Sequence, residues 1–96
     1  IAAANDITEV DVMDGTTLRK IYFDGKQEWL MTESRISAEE LPEIVMQTIA
    51  DSQYAAWEII DAELVENPDG EYYQVTLAGE GEQVVMKVNI EGRILQ

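Results

Sequence analysis

Histidine and cysteine are both missing from the 96 residues, and this removes more chemistry than any residue present supplies. The chain has no imidazole to act as a general base, no thiol nucleophile, no disulfide and neither nitrogen nor sulfur side chains for a soft metal. Zinc, haem and iron–sulfur centres are therefore not expected. Basic residues are scarce as well: 6 Lys and Arg stand against 20 Asp and Glu, a net charge of −14. Nucleic-acid binding depends on cations that neutralise phosphates, so no nucleic-acid partner is expected. Anionic membrane surfaces are disfavoured for the same reason. Long apolar runs are also lacking, so no membrane insertion is expected. The acidic excess keeps copies apart and soluble, and it would steer the chain toward a basic partner.

What remains is one domain with a modest core, built from 46% apolar residues. The absence of cysteine fixes no compartment. The chain opens on Ile1 instead of methionine, which fits processing such as the removal of an export signal.

The clearest organising feature is a pattern used twice: LRKIYFDGKQEWL at 18–30 and VVMKVNIEGRILQ at 84–96. Each is an apolar-rich run, an acidic residue plus Gly, then a second apolar run. Alternation begins at Ile7 and breaks at Asp14-Gly15, a hairpin signal because such turns need positive φ. A second run closes at Asp24-Gly25, and a third, 27–32, carries Trp29 and Met31 on one face. Ser37 to Glu40 reads as a capping box, and Pro42 fits the first turn of the helix that follows. Leu41, Ile44, Val45, Thr48 and Ile49 recur at helical spacing, with an end expected near Ser52 or Gln53. From Trp57 the period becomes two, with Ile60, Ala62 and Leu64 as the inward set. Turns at Asn67-Pro68-Asp69-Gly70, at 79–81 and at Glu91-Gly92 divide the rest into strands. The expected fold is α+β: one helix packed on an antiparallel β-sheet of six or seven strands. Aligning Phe23-Asp24-Gly25 with Ile90-Glu91-Gly92 suggests an incomplete tandem repeat, partial over 7–32 and full over 37–96. Any meander with Asp-Gly turns offers a competing explanation.

The stretch LPEIVMQTIADSQYAAWEIIDAELVENPDGEYYQVTL, followed by VNIEGRIL, resembles the PepSY-like, beta-lactamase-inhibitor-like periplasmic proteins of bacteria. The positions that carry the resemblance are Leu41, Pro42, Val45, Ile49, Tyr54, Ile60, Glu63, Gly70, Tyr72, Val75, Leu77, Ile90 and Gly92. It covers 36–96, and 18–32 fits the end of a preceding copy, with Trp29 where the family often has Trp. Two features depart from the pattern: one helix instead of two, and Ala55-Ala56 before the strand. The resemblance implies an exported protein of the periplasm or cell surface that binds or inhibits a protein or peptide and is not an enzyme. No inhibitory residue can be carried over, because the loops that such inhibitors use do not align.

Candidate sites follow from residue type. Twenty acids could supply a carboxylate pair, but most fall on polar strand positions or in turns, where neither would be desolvated enough for acid–base work. No cofactor is expected. The alternative to a binding module is a calcium- or cation-responsive acidic protein, for which Asp14 in DVMDG and Asp69 in ENPDGE are the candidate ligands. Turn chemistry explains the same residues, since Asp and Asn before Gly are what such turns select. The candidate partner-binding residues are Tyr72, Tyr73 and Trp29. Adjacent tyrosines on a strand point to opposite faces, and a face without a helix is open for a partner.

Overall fold

The computed structural model describes residues 6–95. They form one seven-stranded antiparallel sheet in sequential order, with a short helical segment inserted between its third and fourth strands. The strands are β1 (Thr8–Asp14), β2 (Thr17–Phe23), β3 (Trp29–Ile36), β4 (Glu58–Asn67), β5 (Gly70–Gly79), β6 (Glu82–Asn89) and β7 (Ile94–Leu95). No helix among these residues is long and apolar enough to cross a membrane.

The helical segment departs from the expected single helix. The capping box at Ser37 forms, with the Glu40 carboxylate accepting the Ser37 N–H at 2.9 Å, but it heads only a 3₁₀ turn, Ala38–Glu40. Leu41 then adopts extended backbone, φ −67° and ψ 135°, because the following Pro42 disfavours helical geometry at the residue before it. The α-helix proper, α1, is Glu43–Ala50. Leu41, Val45 and Ile49 are its buried stripe, whereas Ile44 is 45% exposed. Thr48 is half-buried, and its hydroxyl lies 2.8 Å from the Gly92 carbonyl and 2.9 Å from that of Ile44. That contact ties the helix to the β6–β7 turn.

The core lies between this stripe and one face of β4–β6: Ala62, Val75, Leu77, Met86 and Val88. Alternation along β4 is broken by a bulge between Ile59 and Asp61. Ile59 therefore packs against the core with Ala62, while Ile60, expected inside, is 45% exposed. A bulge re-aims side chains in this way because the extra residue shifts the period by one. A second shift, between Tyr22 and Phe23, separates Trp29 from Met31: Met31 pairs with Tyr22 and Trp29 with Phe23. At the helix exit, Tyr54 and Trp57 pack edge to face, 4.8 Å apart. Gly79 is required there, since a Cβ would come within 2.6 Å of Trp57 Cγ and Cδ2.

The two halves share a turn geometry at a spacing of 65 residues. Asp24 Oδ1 accepts the N–H groups of Lys26 and Glu28, and Asn89 Oδ1 accepts those of Glu91 and Arg93. Positive φ recurs at the same spacing, at Gly15 and Glu80 and at Gln27 and Gly92. Asp24 thus matches Asn89 instead of Glu91, because the side chain that caps the turn, not the acid–Gly pair, fixes its geometry. In this register Val10 and Val12 correspond to Val75 and Leu77. The first pair is 42% and 40% exposed and the second is fully buried, since α1 covers only the second half.

Two outcomes follow from this packing. Leu77→Ala should destabilise by about 2–5 kcal/mol as a core cavity, whereas Val12→Ala, its uncovered counterpart, should change stability by about 0.5 kcal/mol or less. Gly79→Ala should cost about 1–3 kcal/mol by overpacking against Trp57. Urea unfolding of the three variants measures all of them, and equal losses for Leu77→Ala and Val12→Ala would contradict the one-sided core.

Candidate protein-binding face

With α1 on one side, the other face of the sheet has no second layer among the described residues. Strand register places Glu9, Asp11, Lys20, Tyr22, Glu33, Arg35, Glu63, Val65, Tyr72 and Lys87 on it. Charges of opposite sign stand opposite one another: Asp11, Lys20 and Glu33 form one row, and Arg35 pairs with Glu63 in the next. Such cross-strand pairs favour the register that brings them together. Lys20, Arg35 and Lys87 are three of the chain's six basic residues, so this face is nearer charge balance than the remaining surface.

Val65 sits at its middle, flanked in register by Glu33 and Tyr72, and is 1% exposed although it lies outside the core cluster. The neighbouring side chains close over it and give an otherwise polar face a packed centre. On the same face Tyr22 donates its hydroxyl at 3.0 Å to Oε1 of Glu33, the residue opposite Val65. Burial, then the Glu33 hydrogen bond and nearby negative charge, push the Tyr22 phenol up to about 12. Tyr72 lies under Lys87 Nζ, 5.5 Å from the ring centroid, a cation–π geometry. Arg35 Nε and Asp61 Oδ1 are 3.4 Å apart. The Glu63 carboxyl is raised, first by burial and then by the charges of Glu33 and Asp61, with Arg35 and Lys20 opposing. At the β1 edge, Glu9 is raised chiefly by its hydrogen bond to Asp11.

The candidates from sequence separate in space. Tyr72 is on the open face, but Tyr73 points the other way, is half-buried and packs against the core. Its phenol is raised by burial and then by the charges of Glu71 and Glu66. Trp29 is 40% exposed, and its indole N–H donates to Thr32 Oγ1 at 2.8 Å. Asp14 ends β1 and Asp69 lies in the β4–β5 turn, at opposite ends of the sheet. Asp14 Oδ2 is 3.3 Å from Arg19 Nη2, and the Asp69 N–H donates to Asn67 Oδ1 at 2.9 Å. Among the described residues no group of three or more Asp or Glu side chains is arranged to hold a metal ion. Sequence reasoning missed Val65 and Tyr22. Tyr22 had a signal in its alternation with Lys20 and Glu33, whereas Val65 read as one more outward position.

Destabilisation at high pH is expected from Tyr22. Its folded-state phenol holds a proton over the range from 10 to about 12 in which an unfolded tyrosine loses it. The contribution is therefore intact below pH 10 and is lost as pH rises toward 12. Absorbance titration near 295 nm should show a late tyrosine phase that Tyr22→Phe reduces by the amplitude of one tyrosine, while the raised Tyr73 stays. A late phase of unchanged amplitude would count against the Tyr22–Glu33 bond.

The fold recurs among solved structures. A BLIP-like protein from Bacteroides fragilis NCTC 9343 is 24% identical, with a TM-score of 0.82 over 97% of this chain and 73% of that one. A DUF2874 family protein from Bacteroides uniformis ATCC 8492 is 18% identical, with a TM-score of 0.84 over 98% and 77%. A protein described as "putative periplasmic" from Bacteroides eggerthii DSM 20697 is 15% identical, with a TM-score of 0.83 over 98% and 76%. At these identities the likeness is one of fold. No curated protein matches the sequence. Residues 6–96 match the family described as "Putative beta-lactamase-inhibitor-like, PepSY-like", and the chain belongs to that family.

Proposed function

We propose that this chain is a non-catalytic binding module of the bacterial periplasm or cell surface, which engages a protein partner through its open sheet face and inhibits a secreted or envelope protein. The observation that carries this reading is the ordered, unlayered face itself. Val65 is packed at its centre although α1 lies on the opposite face, and Tyr22 on the same face is fixed by its hydrogen bond to Glu33. Fixed aromatic side chains beside a packed apolar centre suit interface anchors, because little conformational freedom is lost when a partner docks. The surrounding alternation of charge selects a partner with the complementary pattern and opposes like-charged surfaces. The family description points to binding or inhibition, and a similarly folded protein carries a periplasmic description. The site has neither histidine nor cysteine, and Asp11, Glu33 and Glu63 stand opposite basic residues across the strands, an arrangement suited to recognition.

Affinity capture from a bacterial envelope extract tests this reading, with the tagged chain run beside Tyr22→Ala and Tyr72→Ala. A single protein retained by the parent chain and lost by about tenfold or more in either variant is the expected result. Retention that is indifferent to both substitutions would move the interface off this face.

A further inference from the structure

Two adjoining hollows flank the β4–β5 turn, of about 460 Å³ and about 430 Å³, and both include Asp69, Gly70, Glu71 and Ile90 in their walls. Their apolar surface comes from Trp29 and Pro68 on one side of the turn and from Tyr72 and Leu95 on the other, with Ile90 between. Trp29 and Ile90 are 40% and 54% exposed, so α1, which meets this end of the sheet at Gly92, leaves both uncovered. An eight-residue helix spans about 12 Å, whereas ten-residue strands run about 33 Å.

The rim is of one sign. Glu66, Asp69, Glu71 and Glu91 line the hollows, and no Lys or Arg does. Lys26 and Arg93 lie in the flanking turns outside both walls. Glu66 and Glu71 stand directly opposite each other across β4 and β5, a like-charge pair that disfavours its own hairpin. Elsewhere on the sheet such positions carry opposite charges, as Lys20 with Glu33 and Arg35 with Glu63 do. Nothing within the hollow compensates this pair. A cation from outside would remove the repulsion and gain two carboxylate partners, while Trp29 offers it a cation–π face and Ile90 and Pro68 seat an apolar neighbour.

We infer that this acidic, tryptophan-walled hollow docks a basic segment of a protein partner, one that presents Lys or Arg beside an apolar side chain. The inference rests on the protein-binding reading and adds the chemistry of the partner. The net charge of −14 draws such a segment in at long range, and the hollow gives it a place to dock.

The test is a ¹⁵N–¹H NMR titration of the whole chain with a capped pentapeptide, acetyl-Lys-Arg-Leu-Arg-Lys-amide. Saturable shifts should concentrate at the Trp29 indole N–H and at Gly70, Glu71 and Ile90. The double substitution Glu66→Gln with Glu71→Gln, which keeps size and fold, should weaken binding by about tenfold or more, and so should Trp29→Ala. Shifts spread evenly over exposed acids such as Glu39, Glu40 and Glu43, or binding indifferent to the glutamine variant, would overturn the inference. So would no binding at all. A captured partner that depends on Tyr22 and Tyr72, together with an inert hollow, overturns this inference alone; failure of both overturns the binding reading as well.

Discussion

The burial of Leu41, Val45 and Ile49 against Ala62, Val75, Leu77, Met86 and Val88 is the contact on which the rest of this molecule depends. Among the described residues it is the one place where two layers of secondary structure meet, and a sheet needs such a contact to hide an apolar face. Everything that fixes the helix serves it. Pro42 starts α1 in the right direction, Thr48 fastens it to the β6–β7 turn, and Trp57 closes over Gly79 at its exit. The stripe is only three residues long, so the covered area is small, and the sheet extends beyond it in two directions.

Those extensions give the protein its surface character. Toward β1, positions equivalent to the core remain half-exposed, because the strand pattern is repeated at 65 residues while the helix is not repeated among the described residues. On the reverse face the sheet satisfies itself laterally. Opposite charges pair across strands, Tyr22 bonds Glu33, and Val65 is buried within the layer. A single-layer face of this kind is stable in water and remains available, which is what a recognition surface requires. The turn end around Trp29 differs again, since it joins apolar surface to uncompensated acid. Three environments thus arise from one sheet, and each is set by how far α1 reaches.

The large acidic excess acts mainly outside the core. Most carboxylates occupy turns, helix starts and outward strand positions, where water solvates them. The exceptions are few and instructive. Glu63 is raised by partial burial beside Glu33 and Asp61, and Tyr22 by burial beside Glu33. Both lie on the open face, whereas the raised phenol of Tyr73 belongs to the core side.

Much of this fold was legible in the chain itself. Asp-Gly and Asn-Pro-Asp-Gly turns, alternation and one helical stripe determined seven strands and one helix, because each is a local preference that neighbours reinforce. The family positions from Leu41 to Gly92 were legible for the same reason, being turns and core aliphatics. Absence of histidine and cysteine determined what chemistry the chain lacks. Tertiary structure decided what local preference cannot. The bulges at Ile59–Asp61 and Tyr22–Phe23 exchange inward and outward residues, so Ile60 lies outside and Trp29 parts from Met31. Equivalent sequence patterns in the two halves acquire opposite burial because only one lies under α1. Of the paired tyrosines, periodicity required opposite faces, and only the helix's choice of side made Tyr73 structural and Tyr72 available. A strand's pattern specifies two faces; which of them becomes the core depends on what packs there.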